Sequence, residues 1–130
     1  MFRQAFRARP LYQILQMTLF QWPGHDLPKE LTLQLCQALA HSDAAACVAK
    51  MKELDAATEL RVQDYNVVVS ELKSARAYVP ATDVLKLATA AFPGDEKLVA
   101  LIQVVGDAAK NAGDDDALNA LKGLGYVGND

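Results

Sequence analysis

The sequence predicts an all-α fold, a right-handed superhelix of about three helical hairpins preceded by an N-terminal arm. Three observations carry that reading. Apolar residues recur at helical spacing along nearly all of the chain after residue 28. No alternating apolar and polar run is long enough for a convincing strand. Helix starts recur at a near-constant interval. With 130 residues, 52% hydrophobic and 22% charged, the chain has the composition of one globular domain, not of a disordered or disulfide-dense one.

The first helix spans about residues 29–41, with Leu31, Leu35, Ala38 and Leu39 on one face and Pro28 suited to its first turn. A second follows Ser42, a residue type that caps helices well, and carries Ala44, Cys47, Val48, Met51 and Leu54 at helical spacing. The third, about 60–77, aligns Val62, Tyr65, Val69 and Leu72, with Val67 to Val69 as its one strand-like stretch. Pro80 opens the fourth, whose stripe is Val84, Leu87, Ala88 and Ala91, and Phe92-Pro93-Gly94 stops it. Asp95 caps the fifth, which aligns Leu98, Leu101, Ile102, Val105 and Ala109 until Gly113. A sixth follows Asp114-Asp115-Asp116, buries Leu118 and Leu121, and ends at Gly123. Gly125, Gly128 and Asn129 read as a loose tail.

First helices begin near residues 29, 61 and 96 and second helices near 43, 80 and 115, so equivalent points recur every 32 to 37 residues. That is the period of tetratricopeptide and pentatricopeptide repeats, in which each hairpin covers its apolar face by stacking on the next. The consensus Trp, Gly, Tyr and Pro of the tetratricopeptide unit do not recur at matching places. The division expected is an arm over 1–25, a helical-repeat domain over 26–124 and a tail over 125–130.

Charge is polarised along the chain. Arg3, Arg7 and Arg9 precede any acid, so residues 1–25 carry +3, while residues 26–130 carry 10 − 16 = −6. The Arg-bearing, acid-free start, interleaved with Phe2, Phe6, Leu11, Tyr12, Ile14 and Leu15, has the composition of a mitochondrial import segment and lacks the long apolar run of a secretory signal. Five aromatic residues fall in this arm. Phe2, Phe6, Tyr12, Phe20 and Trp22, together with Arg3, Arg7 and Arg9, are the expected partner-binding residues, because aromatic and arginine side chains dominate interface energetics. The competing reading makes Tyr12, Ile14, Leu15 and Leu19 a helix that caps the first hairpin.

Catalytic, cofactor and metal sites are all expected to be absent. His25 and His41 read as structural, and Cys36, His41 and Cys47 match no zinc-ligand spacing. The aspartates at 114–116 lack the alternation, glycine and terminal glutamate of a calcium loop. No phosphate-binding glycine loop, nucleophile elbow or helical His-Glu-x-x-His occurs. The chain is therefore read as a non-enzyme without a small-molecule substrate. The longest apolar run, Ala44 to Ala49, is far short of a membrane span, and the acidic balance argues against nucleic acid. Cys36 and Cys47, each in an apolar helical pattern, read as small hydrophobes, with a bridge between them left open. The absence of twin Cys-x9-Cys motifs favours matrix or cytosol over the intermembrane space.

Two resemblances follow from particular residues. Asp64-Tyr65-Asn66-Val67, continuing to Val69 and Leu72, resembles the opening helix of a pentatricopeptide repeat, but the position at which that family reads an RNA base is here Val67, with no hydrogen-bonding group. Over about residues 35–127 the order is similar to the matrix-side subunit Va of cytochrome c oxidase. The likeness rests on the small-residue turn in Ala38 to Met51, on Val68-Val69-Ser70-Glu71-Leu72-Lys73, and on Val84-Leu85-Lys86-Leu87 running through Phe92-Pro93-Gly94-Asp95-Glu96-Lys97. Ile102-Gln103 and the stretch Leu121 to Leu124 complete it. Residues 1–30 have no clear counterpart, and the chain is poorer in aromatics than that family. This resemblance implies a non-catalytic accessory subunit without cofactor, packed against other subunits of a respiratory complex on the matrix side of the inner membrane. A pentatricopeptide-like subunit of the ATP synthase or mitoribosome, or an organellar RNA-binding module, is the alternative.

Overall fold

The computed structural model describes residues 28–127, and 80% of these are helical, with no strand among them. Six helices follow in order: α1 (Lys29–Ser42), α2 (Ala44–Ala57), α3 (Val62–Ser74), α4 (Tyr78–Ala91), α5 (Glu96–Ala112) and α6 (Asp115–Lys122). No described helix is long and apolar enough to cross a membrane. The all-α expectation holds. Each odd helix packs on the even helix that follows it; α1 also touches α3, α2 touches α4, α3 touches α5, and α4 touches both α5 and α6.

The core is a continuous apolar seam contributed by every helix. Leu35, Cys36, Met51, Val68, Leu72, Val84, Leu85, Leu98, Val105 and Leu121 are almost wholly withdrawn from solvent. Each buried aliphatic side chain contributes about 1.5–3 kcal/mol relative to exposure, which outweighs the small helix penalty of a β-branched residue. This is why Val67 to Val69, strand-like by composition, sit inside α3, with Val68 and Val69 fully buried. The expected stripe residues Leu31, Ala38, Ala44, Leu87 and Leu118 are only partly buried, and Ala91 is exposed where α4 runs out.

Several helix ends differ from their expected positions, for stated physical reasons. Ser42 closes α1, and the cap of α2 is Asp43, whose carboxylate accepts from the Ala46 N–H at 3.2 Å while its own N–H bonds the Leu39 carbonyl at 2.7 Å. One residue thus ends one helix and begins the next. The third helix is shorter than 60–77, because Arg76 adopts a left-handed φ of 61° that breaks the chain before α4. The start of α4 lies two residues before Pro80, which stands third in the helix, where a missing N–H is still one that no helical carbonyl would have accepted. Asp95 caps α5 as expected, accepting from Lys97 and Leu98 N–H, and Gly113 closes it at a φ of 74°. Asp114 caps α6 through the Ala117 N–H.

Within the stretch expected as a tail, Tyr126 is 4% exposed and returns its ring onto α5. Gly106 makes this approach feasible: a Cβ there would lie inside the Tyr126 ring. The hydroxyl of Tyr126 donates to Asp107 at 3.0 Å. Gly106→Ala is expected to destabilise the protein by about 1–3 kcal/mol through overpacking, although alanine is the better helix former by about 1 kcal/mol. Urea unfolding of G106A, Y126A and the double variant checks this. The two effects should be strongly non-additive, with the added methyl costing little once the ring is gone.

Candidate functional site

The most connected polar group lies at the start of α3. Asp64 accepts from the Arg61 backbone N–H at 2.8 Å and meets Lys29 Nζ of α1 at 3.0 Å, with Arg61 Nη2 at 3.5 Å. Its side chain is only 5% exposed. Burial pushes its carboxyl up, but the Arg61 N–H and the Lys29 ammonium outweigh that and hold it below the ordinary carboxylate range. Tyr65, 1% exposed, donates its hydroxyl to Asp55 of α2 and sets its ring edge-on to Phe92, with centroids 6.2 Å apart and planes at 75°. Burial, together with the Asp55 carboxylate, drives the Tyr65 phenol pKa upward. Asn66 accepts from the Ser70 hydroxyl at 3.2 Å, and Val67 packs partly buried against the core. The Asp64-Tyr65-Asn66-Val67 stretch that resembles a base-reading helix is thus engaged in intramolecular contacts.

Cys36 and Cys47 are free thiols with no exposed surface, one on α1 and one on α2. Burial pushes both up to about 12, so neither forms thiolate near neutral pH. His41, at the exposed end of α1, places Nε2 2.6 Å from Oε1 of Glu71 on α3. That contact ties the first hairpin to the second on their solvent side. His25 lies outside the described residues. No cluster of three His, Cys, Asp or Glu side chains among the described residues is arranged to hold a metal ion.

Among the described residues, two concavities stand out. One is an open cleft of about 620 Å³ lined by Arg76, Tyr78, Ala112, Gly113 and Asp114 to Asp116. Asp114 is committed there as the α6 cap, and acids in a first helical turn complement the helix dipole. The other is an apolar groove of about 340 Å³, formed by Thr89 and Phe92 of the α4 end, Pro93 to Asp95, Leu98, Val99 and Ile102 of α5, and Gly123 and Leu124 after α6. Neither places a nucleophile beside a base and an orienting group, the constellation that covalent catalysis requires.

The expected partner-binding residues Phe2, Arg3, Phe6, Arg7, Arg9, Tyr12, Phe20 and Trp22 all lie outside the described residues. The groove was not anticipated, since its walls come from residues about 30 positions apart in sequence. Gly106 was legible in principle, because a lone glycine within a helical pattern signals close packing. Compared with known proteins, the chain matches no family model, no curated protein and no solved structure.

Two measurements check this geometry. Asp64→Asn should cost about 1–3 kcal/mol in urea unfolding, between a surface and a buried ion pair. Because the Asp64 carboxyl is held low in the folded state, its contribution is complete above the unfolded value of about 3.9 and is lost as pH falls through the folded value. The gap between parent and D64N should therefore narrow in acid. Cys36 and Cys47 should be inert to a thiol-specific reagent at pH 8 in the folded chain and react fully in urea.

Proposed function

We propose that the chain is a non-catalytic accessory subunit of a mitochondrial respiratory complex, acting on the matrix side of the inner membrane through protein–protein contacts, in the manner of cytochrome c oxidase subunit Va. The observation that carries this reading is the pattern of helix contacts: α1 with α2, α3 with α4 and α5 with α6, and like-placed helices of successive pairs against each other. That pattern supports a right-handed superhelix of three stacked hairpins, an architecture that offers extended surfaces to partners. The chemistry agrees with it. The side chains of Asp43 and Asp95 cap helices, Lys29 with Asp64 and His41 with Glu71 join them, and the thiols are buried with pKa values pushed up to about 12. The basic, aromatic segment 1–25 supplies the docking arm, with Arg3, Arg7 and Arg9 meeting acidic groups of the partner.

The test is purification from the native source in mild detergent, followed by identification of what comigrates. Comigration with cytochrome c oxidase is expected, whereas comigration with the ATP synthase or the mitoribosome keeps the accessory role and changes the host. Replacing Phe2, Phe6 and Tyr12 by Ala and Arg3, Arg7 and Arg9 by Glu in the full chain, delivered to the matrix by a separate cleavable leader, should abolish comigration and leave helicity intact. In a filter-binding titration, single-stranded RNA should bind no more tightly than about 10⁻⁴–10⁻⁶ M at physiological salt and without sequence preference. Tighter, sequence-dependent binding would replace the accessory role with RNA recognition.

A further inference from the structure

The groove formed by the α4 end, the start of α5 and the turn after α6 asks for an apolar occupant. Leu98 and Ile102 form its buried floor, 1% and 3% exposed, and the surface open to an occupant is that of the half-buried Phe92 and Leu124 and of Val99, 52% exposed. The one carboxylate at its rim, Asp95, is already committed to the Lys97 and Leu98 N–H groups. A volume of about 340 Å³ lies at the small end of the range for ligand pockets, enough for one or two large side chains.

Where the chain enters the described structure says what can reach that groove. Lys29 stands 3.0 Å from Asp64, and Tyr65 beside Asp64 meets the ring of Phe92, which is itself a groove wall. The starts of α1, α3 and α5 therefore share one end of the molecule with the groove. Two helix-to-helix steps at about 8–10 Å each separate the start of α1 from the start of α5. Trp22 lies six residues before Pro28, and six extended residues span about 20–22 Å, which covers that distance. Charge favours the approach as well, since the segment over residues 1–25 carries +3 and the rest of the chain −6.

We propose that this groove is a docking site for the chain's own segment Leu19 to Trp22, with the Trp22 indole seated against Phe92, Val99 and Leu124. The occupant is intramolecular. It concerns the free chain and stands whether or not a host complex takes up the rest of the arm, so it goes beyond the accessory role and does not rest on it.

Trp22 is the only tryptophan, which makes the full-length protein its own reporter. Its fluorescence should be blue-shifted and protected from acrylamide at all protein concentrations. Val99→Glu, which puts a carboxylate at the exposed edge of the groove, should shift the emission to the red and remove that protection with helicity retained. Val79→Glu, the same change at the opposite end of α4 where Val79 is 40% exposed, should leave both unchanged. A native Trp22 as exposed as in urea overturns the proposal, as does protection that V99E leaves intact. Protection that appears only as concentration rises also overturns it, because the occupant is then a second copy. If V99E loses helicity, Thr89→Glu on the α4 wall is read in the same way.

Discussion

The fold depends on two adjacent residues at the start of α3. Asp64 holds α1 through Lys29, and Tyr65 holds α2 through Asp55 and the α4 end through Phe92. Two consecutive side chains thus bind three other elements. They do so by different physics, which is why neither substitutes for the other. Asp64 supplies a charged contact kept worthwhile by hydrogen bonds that satisfy the buried carboxylate, and without them its desolvation would dominate. Tyr65 supplies a large apolar body whose hydroxyl would be costly to bury unpaired, and the Asp55 carboxylate removes that cost. The remaining helices add apolar area to a frame that these contacts put in register.

That arrangement also alters the meaning of a local likeness. Asp64-Tyr65-Asn66-Val67 resembles a repeat helix whose polar groups face a nucleic acid, yet here Asp64 and Tyr65 are buried and partnered within the chain. A motif of four residues specifies helix and burial well, because those follow from spacing. It specifies function poorly, because function depends on which side chains the neighbouring helices leave uncovered.

The helices were legible in the sequence because period and capping chemistry are local. Asp95 and Gly113 frame α5 as their residue types demand. The errors at other ends arose where two local signals competed, as at Ser42 and Asp43, where the residue able to serve two helices prevails. Pro80 marks a first turn without marking its first residue, since any of the first four N–H groups is dispensable. Tyr126 escaped because its partner, Gly106, is 20 residues away, and only the packing of α6 on α5 brings them together. The groove was hidden for the same reason. Composition identifies an aromatic, basic arm but carries no information about a groove assembled from two distant segments.

The chemistry left at the surface narrows what such a molecule can do. The thiols are buried, the most perturbed carboxylate is engaged with Lys29 and Arg61, and the most perturbed phenol is tied to Asp55. Perturbed groups at an active site are poised to exchange protons with a ligand, and they cluster in a cleft. In this fold they are spread along helix seams, and each shift follows from burial or from an intramolecular partner. Of these, the lowered Asp64 carboxyl adds stability near neutral pH, whereas the thiols and the phenol are uncharged there both folded and unfolded. The large apolar side chains that the described residues leave exposed are few, Val79, Val99, Val104 and Val127, and of these only Val99 borders the apolar groove, so that is where apolar contact with another segment is concentrated.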